Sequence, residues 1–113
     1  MHELSIISNL LETIEEEKKR RGFKRVLEIG LEVGVFSCLD PDALEVCFRA
    51  NRKGTSAESA RLIVKRVEGK GKCIQCGKKF VMEEFFYPCP FCGSFRVEII
   101  SGNQVEVNYL EVD

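Results

Sequence analysis

One histidine among 113 residues excludes a good deal of chemistry. A histidine-rich zinc site, a mixed cysteine and histidine finger, and a nucleophile, histidine and carboxylate triad all need an imidazole in the body of the fold. The only one is His2, one place from the start. An excess of charge is missing too: 17 lysines and arginines stand against 18 aspartates and glutamates. That balance gives no general electrostatic reason to bind DNA, RNA or an anionic membrane. No apolar run is long enough to span a bilayer, and MHELSI lacks the basic stretch, apolar block and small-residue site of a secretory signal. The expectation is a soluble cytoplasmic protein with neither a membrane nor a nucleic-acid partner. Its length allows one globular domain with a small module inserted.

What is present begins with a helical period. Leu4, Ile7, Leu10, Leu11 and Ile14 form one stripe, with Ile6 flanking it. The middle of this segment is acidic and its last turn basic (Lys18 to Arg21), which suits the helix dipole before Gly22 ends it. KRVLEIGLEVGVF then alternates, Leu27, Ile29, Leu31, Val33 and Val35 on one face and Glu28, Gly30, Glu32 and Gly34 on the other, which predicts a strand with one wet face. Asp40-Pro41-Asp42 reads as an N-cap with proline in the first turn, opening a second helix on Leu44, Cys47 and Phe48 that ends near Gly54. Ala60 to Val67 and Gln104 to Val112 read as further strands.

Between those last two strands lies a segment bounded by Gly69-Lys70-Gly71 and Ser101-Gly102-Asn103. The expected architecture is α+β: two helices on a small sheet of about three strands, with a zinc-ribbon-like module inserted before the last strand. Residues 1–68 plus 102–113 would form the body and 69–101 the module.

The module carries C-x2-C-x12-C-x2-C: Cys73, Cys76, Cys89 and Cys92, each second cysteine followed by glycine. Each pair can form a knuckle that points two sulfurs at one ion, and two knuckles close a tetrahedral four-sulfur site. A segment of about thirty residues buries too little apolar surface to fold unaided, whereas structural zinc contributes roughly 10 to 16 kcal/mol in small peptides. Four thiolates also leave no open position, so the site should be structural Zn(II) and not catalytic. Iron is admitted by the same geometry, since the knuckle at Cys89 to Gly93 is rubredoxin-like. A redox-active pair would need a thioredoxin-like strand and helix that the segment lacks. Five basic groups against three acidic ones, offset by the thiolate centre, support phosphate binding only weakly. The rings Phe80, Phe85, Phe86, Tyr87, Phe91 and Phe95 are expected as core or partner contacts before base-stacking platforms. Cys38 and Cys47 are expected as buried free thiols.

The amino terminus is the other candidate site. The Met1 amine, the His2 amide nitrogen and the His2 imidazole can form fused chelate rings around one ion, with Glu3 near the remaining position. Such a nitrogen-rich set suits Ni(II) or Cu(II) better than zinc. It would be labile and pH dependent, because amine and imidazole must both lose protons.

Taken together, MHELSI, VLEIGLEVG, DPDAL, GTSAESARLIV, the paired CxxCG knuckles and SGNQVEVNYLEV closely resemble the HypA/HybF family of nickel-insertion accessory proteins, in order and over essentially the whole chain. The resemblance implies a non-enzymatic nickel metallochaperone, a monomer or homodimer. It would work with a HypB-type GTPase and deliver nickel to the NiFe-hydrogenase large-subunit precursor; some members also serve urease accessory proteins. By position, it implies nickel at Met1, His2 and Glu3, and zinc at Cys73, Cys76, Cys89 and Cys92. Asp40 is a secondary candidate for a nickel or partner contact, and histidines that some members carry beside the knuckles are missing here. The reading it displaces is a zinc-ribbon nucleic-acid-binding or transcription-associated protein.

Overall fold

The computed structural model describes residues 3–113. Helix α1 spans Glu3–Arg21 and buries Ile7, Leu10, Leu11 and Ile14. Leu4, expected in that stripe, is instead exposed. Gly22 ends the helix in the left-handed region (φ 76), its N–H donating to the Lys18 carbonyl at 2.8 Å. Strand β1 follows over Val26–Gly34, then a single 3-10 turn over Val35–Ser37. Helix α2 spans Pro41–Asn51, three residues short of Gly54. The Asp40 carboxylate caps it by accepting from the Asp42 N–H at 3.0 Å. Strands β2 (Arg61–Val67), β3 (Gly69–Cys73), β4 (Lys79–Met82), β5 (Val97–Ser101) and β6 (Val105–Val112) complete the order.

These strands form two three-stranded sheets, β2-β1-β6 and β4-β3-β5. The chain divides into two compact units: residues 1–31, 39–64 and 107–113, and residues 32–38 and 65–106. In the first, α1 packs on α2, and Phe48, Leu44, Ile7, Ile14, Val26 and Ile29 are almost wholly removed from water. Fully burying a side chain of this size contributes about 1.5–3 kcal/mol. The loop after α2 is tied down by Glu15, whose carboxylate accepts from the Ser56 N–H at 2.6 Å and from its hydroxyl at 2.8 Å.

The expected wet face of β1 is not wet. Gly30 and Gly34 are buried, and a Cβ at Gly30 would lie 2.1 Å from the Tyr109 ring. Tyr109 lies across that face and donates from its hydroxyl to Glu28 at 2.6 Å, while Arg61 donates to the other Glu28 oxygen. Glycine at position 30 is what lets the ring come this close to the strand.

In the second unit, the ring of Phe36 fills the space over Gly69 and Gly102, where added Cβ atoms would come within 2.3 and 2.7 Å of it. The same ring meets Phe85 edge-on at 5.8 Å. The 3-10 turn therefore belongs with residues 65–106 although it is remote from them in sequence. No helix among the described residues is long and apolar enough to cross a membrane.

Candidate metal centre

The site is made by two turns of matching construction. In each, the glycine after the second cysteine takes the left-handed conformation, Gly77 at φ 79 and Gly93 at φ 78. Gly77 N–H donates to the Cys73 carbonyl and Gly93 N–H to the Cys89 carbonyl, both at 2.8 Å. The first cysteine of each pair donates in turn to the carbonyl five residues on, Cys73 to Lys78 at 2.9 Å and Cys89 to Ser94 at 2.8 Å. Within each turn an amide N–H is aimed at a sulfur: Cys76 N–H at Cys73 Sγ and Phe91 N–H at Cys89 Sγ, each at 3.4 Å. Such donors favour the thiolate.

The two knuckles bring Cys73, Cys76, Cys89 and Cys92 together, with all four sulfurs within 4.8 Å of one another. Cys73 and Cys92 sulfurs lie 3.6 Å apart, and those of Cys76 and Cys89 3.7 Å apart. Sulfurs at the corners of a tetrahedron, each about 2.3 Å from a central zinc, would stand about 3.8 Å from one another. The donor set therefore fits a four-sulfur metal. Cys73 and Cys89 are buried, while Cys76 and Cys92 are exposed.

The acidities of the thiols diverge across the cluster. The Cys76 N–H, above all, lowers the Cys73 thiol to about 7. Burial pushes Cys89 up, but the N–H groups of Cys92 and Phe91 outweigh it and leave that thiol below its ordinary value. The Ser94 N–H pulls Cys92 down, yet the Cys73 sulfur, burial and the other sulfurs drive it up to about 11. Four sulfurs at this spacing cannot all be thiolates without a positive charge among them.

The rings expected around the knuckles are less committed than their number suggested. Phe80 and Tyr87 are half-buried and pack at 6.3 Å. Phe85, Phe86, Phe91 and Phe95 are exposed, and Phe91 carries the Lys78 ammonium 4.6 Å above its ring. The buried body of the module is instead Cys73, Cys89 and Met82, with the small residues Gly69 and Gly71. Cys38 and Cys47 are free thiols, but Cys38 is exposed in a left-handed conformation (φ 61) and Cys47 is half-buried. Cys38 sits at the end of the 3-10 turn, where the chain swings toward α2, and that geometry turns it outward.

Of the amino-terminal candidates, Met1 and His2 lie outside the described residues. Glu3 opens α1, and its carboxylate accepts from the Asp40 N–H at 3.1 Å. That donor is the main cause holding the Glu3 carboxyl below its ordinary value. The first turn of α1 is thus tied to the N-cap of α2, a link with no signature in the sequence because its donor is a backbone group.

The family model described as hydrogenase/urease nickel incorporation, metallochaperone, hypA matches residues 1–112. The chain is 43% identical over 113 residues to the hydrogenase maturation factor HypA of Geobacter metallireducens, covering 100% of both. It is 41% identical over 112 residues to the factor of the same name from Rhizobium leguminosarum bv. viciae, covering 99% of each. Among solved structures it resembles the solution structure of the Ni metallochaperone HypA from Helicobacter pylori, with a TM-score of 0.74, 25% identity, and 99% of this chain and 97% of that one covered.

Proposed function

The chain belongs to the HypA family, and from that premise we propose that it is a nickel metallochaperone of hydrogenase maturation in which two metals have separate posts. Zn(II) is held permanently by Cys73, Cys76, Cys89 and Cys92, and Ni(II) is carried exchangeably by Met1, His2 and Glu3. The carrying observation is the closure of the four-sulfur cluster, with every sulfur already within 4.8 Å of the other three. Four thiolates saturate a tetrahedral ion, which leaves no position for a receiving protein to attack. A transferable ion therefore needs another site. The Met1 amine, His2 amide and His2 imidazole form the one nitrogen-rich chelate the sequence offers.

Zinc supplies cross-linking at the knuckles when bound, and the chain's own residues prepare for it by lowering the Cys73 and Cys89 thiols. The first turn of α1 is anchored through Glu3 to the Asp40 amide, which supports a chelate at the start of that helix. The protein acts as a carrier and not as a catalyst. A HypB-type GTPase and the NiFe-hydrogenase large-subunit precursor are the partners this reading assigns, with delivery in the cytoplasm.

The test is a nickel titration of the authentic chain beside a variant with one extra residue before Met1. The extension moves the amine out of the chelate while leaving the imidazole and all six cysteines in place. Nickel affinity should fall by more than about tenfold with zinc content unchanged. Equal affinity in the two proteins would overturn the amino-terminal assignment.

A further inference from the structure

The module's sheet has one packed face and one open face. Gly71, Cys73 and Met82 belong to the packed side, where a Cβ at Gly71 would lie 2.6 Å from the Met82 sulfur and 2.7 Å from Val97. The other side presents Lys70 and Lys72 from β3, Lys79 and Val81 from β4, and Glu98 from β5, all exposed. The register sets Lys72 directly opposite Lys79, and Lys70 opposite Val81. On its other flank Lys72 stands opposite Glu98.

Like charges directly opposed across an antiparallel pair are destabilising. Neither Lys72 nor Lys79 has an ion pair among the described residues, and Lys70 reaches only the exposed Glu68, at 3.9 Å. This face therefore carries more positive than negative charge, Lys70, Lys72 and Lys79 against the one Glu98, next to an apolar side chain that is half in water, Val81 at 50%. None of the module's exposed rings (Phe85, Phe86, Phe91, Phe95) lies on a strand of this sheet, so the face offers no platform on which bases could stack.

We infer that the open face of β4-β3-β5 is a docking surface for an acidic segment of a partner protein, two neighbouring carboxylates meeting Lys72 and Lys79 and an apolar side chain resting on Val81. The competing role for the lysines is to balance the negative charge of the metal-loaded thiolates one residue away at Cys73. The two roles separate in one experiment. The full-length, zinc-loaded, isotope-labelled chain is titrated with an acetylated, amidated pentapeptide of four glutamates around one valine. A peptide with four lysines in their place and a short DNA duplex are run beside it, and all are repeated with the Lys72→Gln/Lys79→Gln double variant.

The inference expects amide shifts confined to residues 70–72, 79–81 and 98 with the acidic peptide alone. It also expects affinity to fall about tenfold in the double variant and to weaken with added salt, while zinc content and zinc retention against a chelator stay unchanged. Three results would overturn it: no shift at millimolar acidic peptide, an equal or stronger response to the duplex, or faster zinc loss in the double variant with peptide binding unaltered. Val81→Ala checks the apolar contact, and an unchanged affinity there would remove Val81 from the surface.

Discussion

The two units are held together by different physics. In the first, almost fully buried aliphatic and aromatic side chains such as Phe48, Ile7, Ile14, Ile29 and Leu44 come from two helices and a strand and meet in one core. In the second, the buried cysteines Cys73 and Cys89 of the four-sulfur cluster take that place. A core of the first kind loses stability side chain by side chain, in proportion to the volume removed. A cluster of the second kind is close to all-or-none, because one missing sulfur opens the coordination of an ion that cross-links two turns. The comparison also predicts opposite metal behaviour: what folds a module should not be given away, and what is given away should not be needed for folding.

The largest effect expected is from Cys89→Ser. The metal should be lost and amide protection across residues 69–101 should collapse, while helix α1 and helix α2 keep theirs, a contrast readable by hydrogen exchange. Loss of protection throughout the chain would break the separation between the units. Next in size is Phe48→Ala, which should cost about 3–5 kcal/mol in urea unfolding of the first unit with the metal still bound. Gly30→Ala should cost about 1–3 kcal/mol, because its Cβ would meet the Tyr109 ring at 2.1 Å. Tyr109→Leu in the same chain should recover part of that loss, and no recovery would mean that the strand, and not the ring, is the obstacle.

The smallest effect concerns acid. The Ser56 N–H, with the Ser56 hydroxyl, lowers the Glu15 carboxyl below its usual value of 4.5. Its contribution is therefore complete above that value and is lost as pH falls through the lowered folded pKa. Glu15→Gln should be less stable than the parent near neutral pH by at most about 1 kcal/mol, and the difference should shrink at the acid end of a series of urea midpoints. A difference that grew toward acid would contradict the assigned sign.

Much of this was legible in the sequence wherever the information is local. The α1 stripe at Ile7, Leu10, Leu11 and Ile14 follows the helical repeat, the α2 start is written in Asp40 and Pro41, and each knuckle lies within five residues. What escaped was long-range. Nothing near Gly30 announces that Tyr109 covers it, and nothing near Phe36 announces that its ring fills the space over Gly69 and Gly102. The alternation of β1 reads as one buried and one wet face because glycine and glutamate look solvent-facing, whereas here glycine makes room for a ring and Glu28 receives two donors. The apolar character of a free cysteine predicts a buried Cys38, but the residue is exposed in a left-handed turn. The Glu3 contact with the Asp40 amide joins residues 37 apart through a backbone donor, which no side-chain pattern can signal.

The central claim is that the exchangeable metal and the structural metal occupy different ends of this chemistry, and one measurement tests it directly. Untagged protein and His2→Ala are each loaded with nickel and zinc, passed through a chelator of intermediate strength, and analysed for both metals with time. The account predicts one zinc per chain retained in both proteins, nickel released quickly from the parent, and no nickel bound above background in His2→Ala. Nickel bound equally well by His2→Ala, or zinc leaving as fast as nickel, would contradict it.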